Sequence, residues 1–95
     1  MNLVISHVGK NYIRQIMDEL ESRGIRWEGE RKFPHKPAFP PYVVVEGEKA
    51  FYGFEEGFLG RVNNGRGDYK MVSEANFIVT AQMLPKDDPE WITKL

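Results

Sequence analysis

The chain reads as an α+β domain, a small antiparallel sheet of three to five strands packed against one or two helices. Two observations predict that class and a third sets its size. Runs of β-branched and aromatic residues, at 3–8 and 42–45 above all, read as strands. Ile13, Ile16, Met17 and Leu20 recur at helical spacing, with Arg14, Gln15, Asp18, Glu19 and Glu21 on the other face. A length of 95 residues leaves room for one modest core, so residues 1–95 form a single domain.

The elements follow in order. Leu3, Val4, Ile5 and Val8 make a first strand or an apolar entry to the helix, and a strand there needs a partner from elsewhere in the chain. A helix is expected over residues 11–23, with Asn11 as N-cap, a Glu19–Arg23 pair four apart, and Gly24 in the left-handed position that closes such a helix. Ile25-Arg26-Trp27 reads as a short strand. Residues 28–41 form a proline-rich loop. Pro34, Pro37, Pro40 and Pro41 fix their own φ and push the preceding residues towards extended backbone. Tyr42-Val43-Val44-Val45 and Ala50-Phe51-Tyr52 form a hairpin around Gly47-Glu48. A second hairpin, closed by Asn64-Gly65, would join 58–62 to 69–72. Ser73 caps a second helix over 74–84, stopped by Pro85, with Phe77, Ile78 or Val79, Ala81 and Leu84 available to face the sheet. Residues 85–95 are an extension in which Asp88-Pro89-Glu90 starts a short helix carrying Trp91, Ile92 and Leu95.

Composition narrows the function. Thirteen Lys and Arg stand against fourteen Asp and Glu, a formal charge of -1, which disfavours a generic nucleic-acid or anionic-membrane binder. With no cysteine there is no disulfide, thiolate metal site or thiol nucleophile. No stretch approaches the ~20 apolar residues needed to span a bilayer, and a cytoplasmic location is expected.

No constellation of catalytic residues emerges. His7 and His35 lack a second ligand at metal spacing. Ser6 and Ser73 lack a nucleophile-elbow context, and Ser73 is better explained as a cap. Glu55-Glu56 and Asp87-Asp88 are adjacent pairs, which on extended backbone point to opposite sides, so solvation and capping account for them better than acid–base work. The glycine-rich tract 57–67 carries Arg61 and Arg66 and could cradle an anion, but it matches no phosphate-loop pattern and suits turns better. Arg66-Gly67-Asp68 spells an integrin-like tripeptide, for which no such role is expected in a chain read as cytoplasmic.

The strongest candidate contact surface lies between Arg23 and Phe39. There Arg26, Arg31, Lys32 and Lys36 interleave with Trp27, Phe33 and Phe39, diluted by Glu28 and Glu30. Cations beside aromatic rings suit charge pairing and stacking. The competing reading makes Trp27 and Phe33 core residues and the charges a solvated loop.

Several segments in this order resemble a loosely defined class of small bacteriophage-encoded accessory proteins. They are a helix closing at Glu21-Ser22-Arg23-Gly24, then Ile25-Arg26-Trp27, Tyr42-Val43-Val44-Val45, a hairpin into Tyr52-Gly53, and Tyr69-Lys70-Met71-Val72-Ser73-Glu74-Ala75-Asn76-Phe77-Ile78. The resemblance spans about residues 11–78, and the extension after Leu84 departs from it. It implies host takeover or counter-defence through binding a host protein or a small signalling nucleotide, with no shared catalytic residue. The resulting expectation is a non-catalytic binding protein without cofactor that inhibits or redirects a host macromolecule. A nucleotide sponge using Arg61 or Arg66, or an assembly module that self-associates through Trp91, are the alternatives.

Overall fold

A computed structural model describes residues 2–6, 8–33, 41–53 and 69–95. Among these residues it shows a five-stranded sheet and two α-helices, the α+β class expected. The strands are β1 (Asn2–Ser6), β2 (Arg26–Trp27), β3 (Tyr42–Glu46), β4 (Lys49–Gly53) and β5 (Tyr69–Ser73), in the order β2-β4-β3-β1-β5. β3 runs antiparallel to both β1 and β4, while β5 is parallel to β1 and β2 is parallel to β4, so the sheet is mixed and not antiparallel throughout as expected, because the parallel pairs join strands distant in the chain.

The valine run becomes the central strand because it can bury side chains on both faces. Val43, Val44 and Val45 are all fully buried. One sheet face, with Leu3, Ile5, Val43, Val45, Ala50 and Val72, carries the helices. The other gathers Val4, Tyr42 and Val44, with Phe51 and Tyr69 half-buried against them. A two-residue loop joins β3 to β4 between the paired residues Glu46 and Lys49, and Gly47 takes φ 64° there, as a tight hairpin turn requires.

Helix α1 (Ile13–Ser22) buries Ile13, Ile16, Met17 and Leu20, the stripe its spacing predicts. It starts two residues later than expected. Its N-cap is Tyr12 in a helical conformation, without a side-chain cap, so Asn11 does not cap it. The C-terminal end follows the expectation: Gly24 has φ 81°, its N–H donates to Glu21 O at 3.0 Å, and Ile25 N–H donates to Leu20 O at 3.1 Å. These are the two bonds of a Schellman motif, sealed by Ile25 and Leu20, both buried.

Helix α2 (Glu74–Ala81) is shorter than the 74–84 expected, ending before Pro85 in a turn over Gln82–Leu84. Ser73 caps it, its hydroxyl accepting from Asn76 N–H at 3.2 Å. Phe77 and Ala81 are buried, Ile78 and Leu84 partly so, and Val79 points outward. β5 was expected to pair in a hairpin with 58–62. Residues 58–65 lie outside the described residues, and the partner observed for β5 is β1.

The terminal helix is a 3-10 turn, Trp91–Lys94. Asp88 acts ahead of it, its carboxylate accepting from Glu90 N–H at 2.9 Å. Trp91 is buried against Phe77, with ring centroids 6.3 Å apart, so it belongs to the chain's own core. Among the described residues no helix is long and apolar enough to cross a membrane.

Candidate functional site

Edge strand β2 and the segment after it are positioned by aromatic packing. Trp27 meets Tyr52 edge-on, 4.8 Å between centroids at 76°, and Phe33 meets the same ring at 6.2 Å. Trp27 Nε1–H donates to Glu30 O at 3.1 Å, and Tyr52 OH donates to Arg31 O at 3.4 Å. All three rings are half-buried against the helix-side core. Burial pushes the Tyr52 phenol above its ordinary pKa.

Strand alternation separates what the sequence interleaves. Trp27, paired with Ala50, turns to the helix side, whereas Arg26, paired with Lys49, turns to the opposite face. Trp27 and Phe33 therefore fill the role the core reading gives them, and the exposed groups are Arg26, Arg31 and Lys32. Arg31 pairs with Glu21, both about half exposed, and Lys49 pairs with Glu28 at 3.6 Å. Arg26 and Lys32 have no ion pair among the described residues. Arg26, Trp27, Glu28 and Lys49 line a cleft of about 270 Å³. Lys36, Phe39, Arg61 and Arg66 lie outside the described residues, as do His7, His35 and Glu55-Glu56.

Arg23 heads the basic segment in the sequence but is not part of this surface. Its side chain is 1% exposed and points between the helix ends. It donates to Ala81 O and Pro85 O, each at 2.9 Å, and to Leu84 O at 3.1 Å, pairs with Glu19 at 3.5 Å, and lies 4.4 Å from the centroid of the Trp91 ring. Arg23 closes the C-terminal end of α2, which has no basic residue of its own in the last turn. Lys49 and Tyr52 are the site residues the sequence reading did not include. Only the parallel β2–β4 pairing brings them beside Arg26 and Trp27, and no local pattern encodes that pairing.

Other candidates resolve into structural roles. Ser6 Oγ donates to Val72 O at 3.3 Å, and Ser73 caps α2. Asp88 is held below the usual carboxylate range by its hydrogen bond from Lys94, then by Glu90 N–H; the same bond raises Lys94. Among the described residues no three His, Asp or Glu side chains are grouped to hold a metal. A second cleft of about 260 Å³ lies between the helices over Phe77 and Ile78, with Asp18 and Gln82 on its walls. Compared with protein families, curated proteins and solved structures, the chain matches none.

Proposed function

We propose that this chain is a non-catalytic binding protein that inhibits or redirects a host macromolecule, contacting it through residues 26–33. The observation that carries the location is the division of labour along that segment. Trp27 and Phe33 anchor it to the core through Tyr52, while Arg26, Arg31 and Lys32 stand exposed on the anchored backbone. With the backbone already anchored, a partner has to order only the side chains and not the segment that carries them. Their contribution to folding is small, because exposed pairs such as Arg31–Glu21 contribute about 0–1 kcal/mol. The host and the phage-type role rest on the resemblance over residues 11–78.

The test is recovery of partners from bacterial lysate by the tagged chain and by Arg31→Ala/Lys32→Ala, with mass spectrometry of the bound proteins. One stoichiometric host protein is expected with the parent chain, depleted about tenfold with the double variant, an effect of about 1.4 kcal/mol. Thermal unfolding of the variant should stay within about 2 °C of the parent. Equal recovery by both chains, or no specific protein with either, overturns the reading.

A further inference from the structure

We infer that the outer edge of β2, which pairs with no strand among the described residues, takes up an extended, acidic segment of a protein partner as an added strand, one carboxylate of it pairing with Arg26 beside Lys49. The inference rests on the binding reading above and gives it a mode and a chemistry.

The backbone supplies the first argument. Arg26 N–H donates to Glu48 O at 2.8 Å and Glu28 N–H to Ala50 O at 2.7 Å, so the amides of residues 26 and 28 face β4. Alternation along the strand turns the N–H and C=O of Trp27 the other way, where no described strand lies. A donor and an acceptor side by side on a sheet edge match one residue of an incoming strand. A free anion would use the N–H and leave the carbonyl unused. The edge is already ordered: Ile25 is buried with its N–H on Leu20 O, and Trp27 is pinned by Tyr52 and Glu30 O. Binding there costs little further ordering.

Side-chain charge supplies the second argument, because a two-residue strand offers too few backbone bonds to select a partner. Arg26, Glu28 and Lys49 share one face at this edge. Lys49 is taken by Glu28, which leaves Arg26 as the cation of this face without an ion pair among the described residues, with a second cation as its neighbour across the β2–β4 pair. An incoming carboxylate pairs with Arg26 and relieves its repulsion from Lys49. An incoming Lys or Arg meets two cations and a carboxylate already engaged by Lys49, a face that stays net positive. The cleft of about 270 Å³ bounded by these residues and Trp27 accommodates one such side chain.

The test is selection of random short linear peptides on the immobilised full-length chain, followed by calorimetry on the recovered sequences. Recovered peptides should carry Asp or Glu within a β-prone run. Arg26→Glu should weaken them at least tenfold, about 1.4 kcal/mol, and Arg26→Gln less. N-methylation of the peptide amide that faces Trp27 should weaken binding to a similar extent. Unchanged thermal unfolding of both variants shows that the fold is intact. Basic peptides, no recovered peptides, or acidic peptides indifferent to Arg26→Glu each overturn the inference. A host protein that depends on Arg31 and Lys32, found together with any of those results, leaves the binding reading standing and removes only strand addition. Acidic peptides without a host protein do the reverse.

Discussion

Arg23 shows how little a residue's sequence neighbourhood says about where its charge goes. It opens a run of basic residues and has the look of a surface cation, yet its guanidinium serves three backbone carbonyls, one carboxylate and the face of Trp91. Its Nε is buried without a hydrogen-bond partner, so the site is satisfied through the two terminal nitrogens. Arg23→Ala leaves the carbonyls of residues 81, 84 and 85 without that donor and Trp91 without its cation. Charge-assisted hydrogen bonds contribute about 1.5–3 kcal/mol each and are not additive, so the expected loss is about 3 kcal/mol by urea unfolding. Arg23→Lys keeps the charge but loses the fork that spans the carbonyls, and about half of that loss is expected. A loss below about 1 kcal/mol for Arg23→Ala would show that water replaces the guanidinium without penalty.

At the scale of elements, the outcome followed the quality of the local signal. Helix α1 was legible because its apolar stripe, its C-terminal Gly24 and the following Ile25 all specify one geometry, whereas its start was not, since Tyr12 holds the N-cap position in a helical conformation. The β3–β4 hairpin was legible from the valine run and Gly47. The end of α2 is not legible, because Leu84 and Pro85 mark where the helix must stop, while the backbone turns three residues sooner. Gly24 gives the cleanest test. A Cβ there would meet nothing within 4 Å, so any cost of Gly24→Ala is conformational, arising from φ 81°. About 1 kcal/mol is expected, and Gly24→Asn should cost less because asparagine tolerates left-handed backbone. Equal losses for both variants in chemical denaturation would point to a steric origin and refute this account.

At the scale of the whole molecule, topology was the illegible part. The order β2-β4-β3-β1-β5 joins segments far apart in the chain, and neither parallel pairing leaves a mark on local periodicity. The candidate surface suffered for the same reason: alternation sends Trp27 inward and Arg26 outward, and the pairing then adds Lys49. The C-terminal extension, ambiguous in sequence between core cap and partner contact, closes over Phe77 and Arg23. Its stability should therefore depend on pH through Asp88 and Lys94. The folded-state pKa of Asp88 is lowered, first by the Lys94 hydrogen bond and then by Glu90 N–H, so its contribution is present above the ordinary carboxylate pKa and lost as pH falls through the lowered one. The pKa of Lys94 is raised by the same partner, so its contribution is present below the ordinary lysine value and lost as pH rises through the raised one. Tyr52, at the β2 edge and not in the tail, adds an alkaline loss to the fold as a whole, because burial favours its neutral form. Tail docking should thus be level across neutral pH and weaken at both extremes. Trp91 fluorescence during thermal unfolding, read in a Trp27→Phe background, reports it directly. Asp88→Asn should lower the midpoint at neutral pH and flatten the acid limb; an acid limb unchanged by Asp88→Asn would mean that other carboxylates control it and that this pair does not fasten the tail.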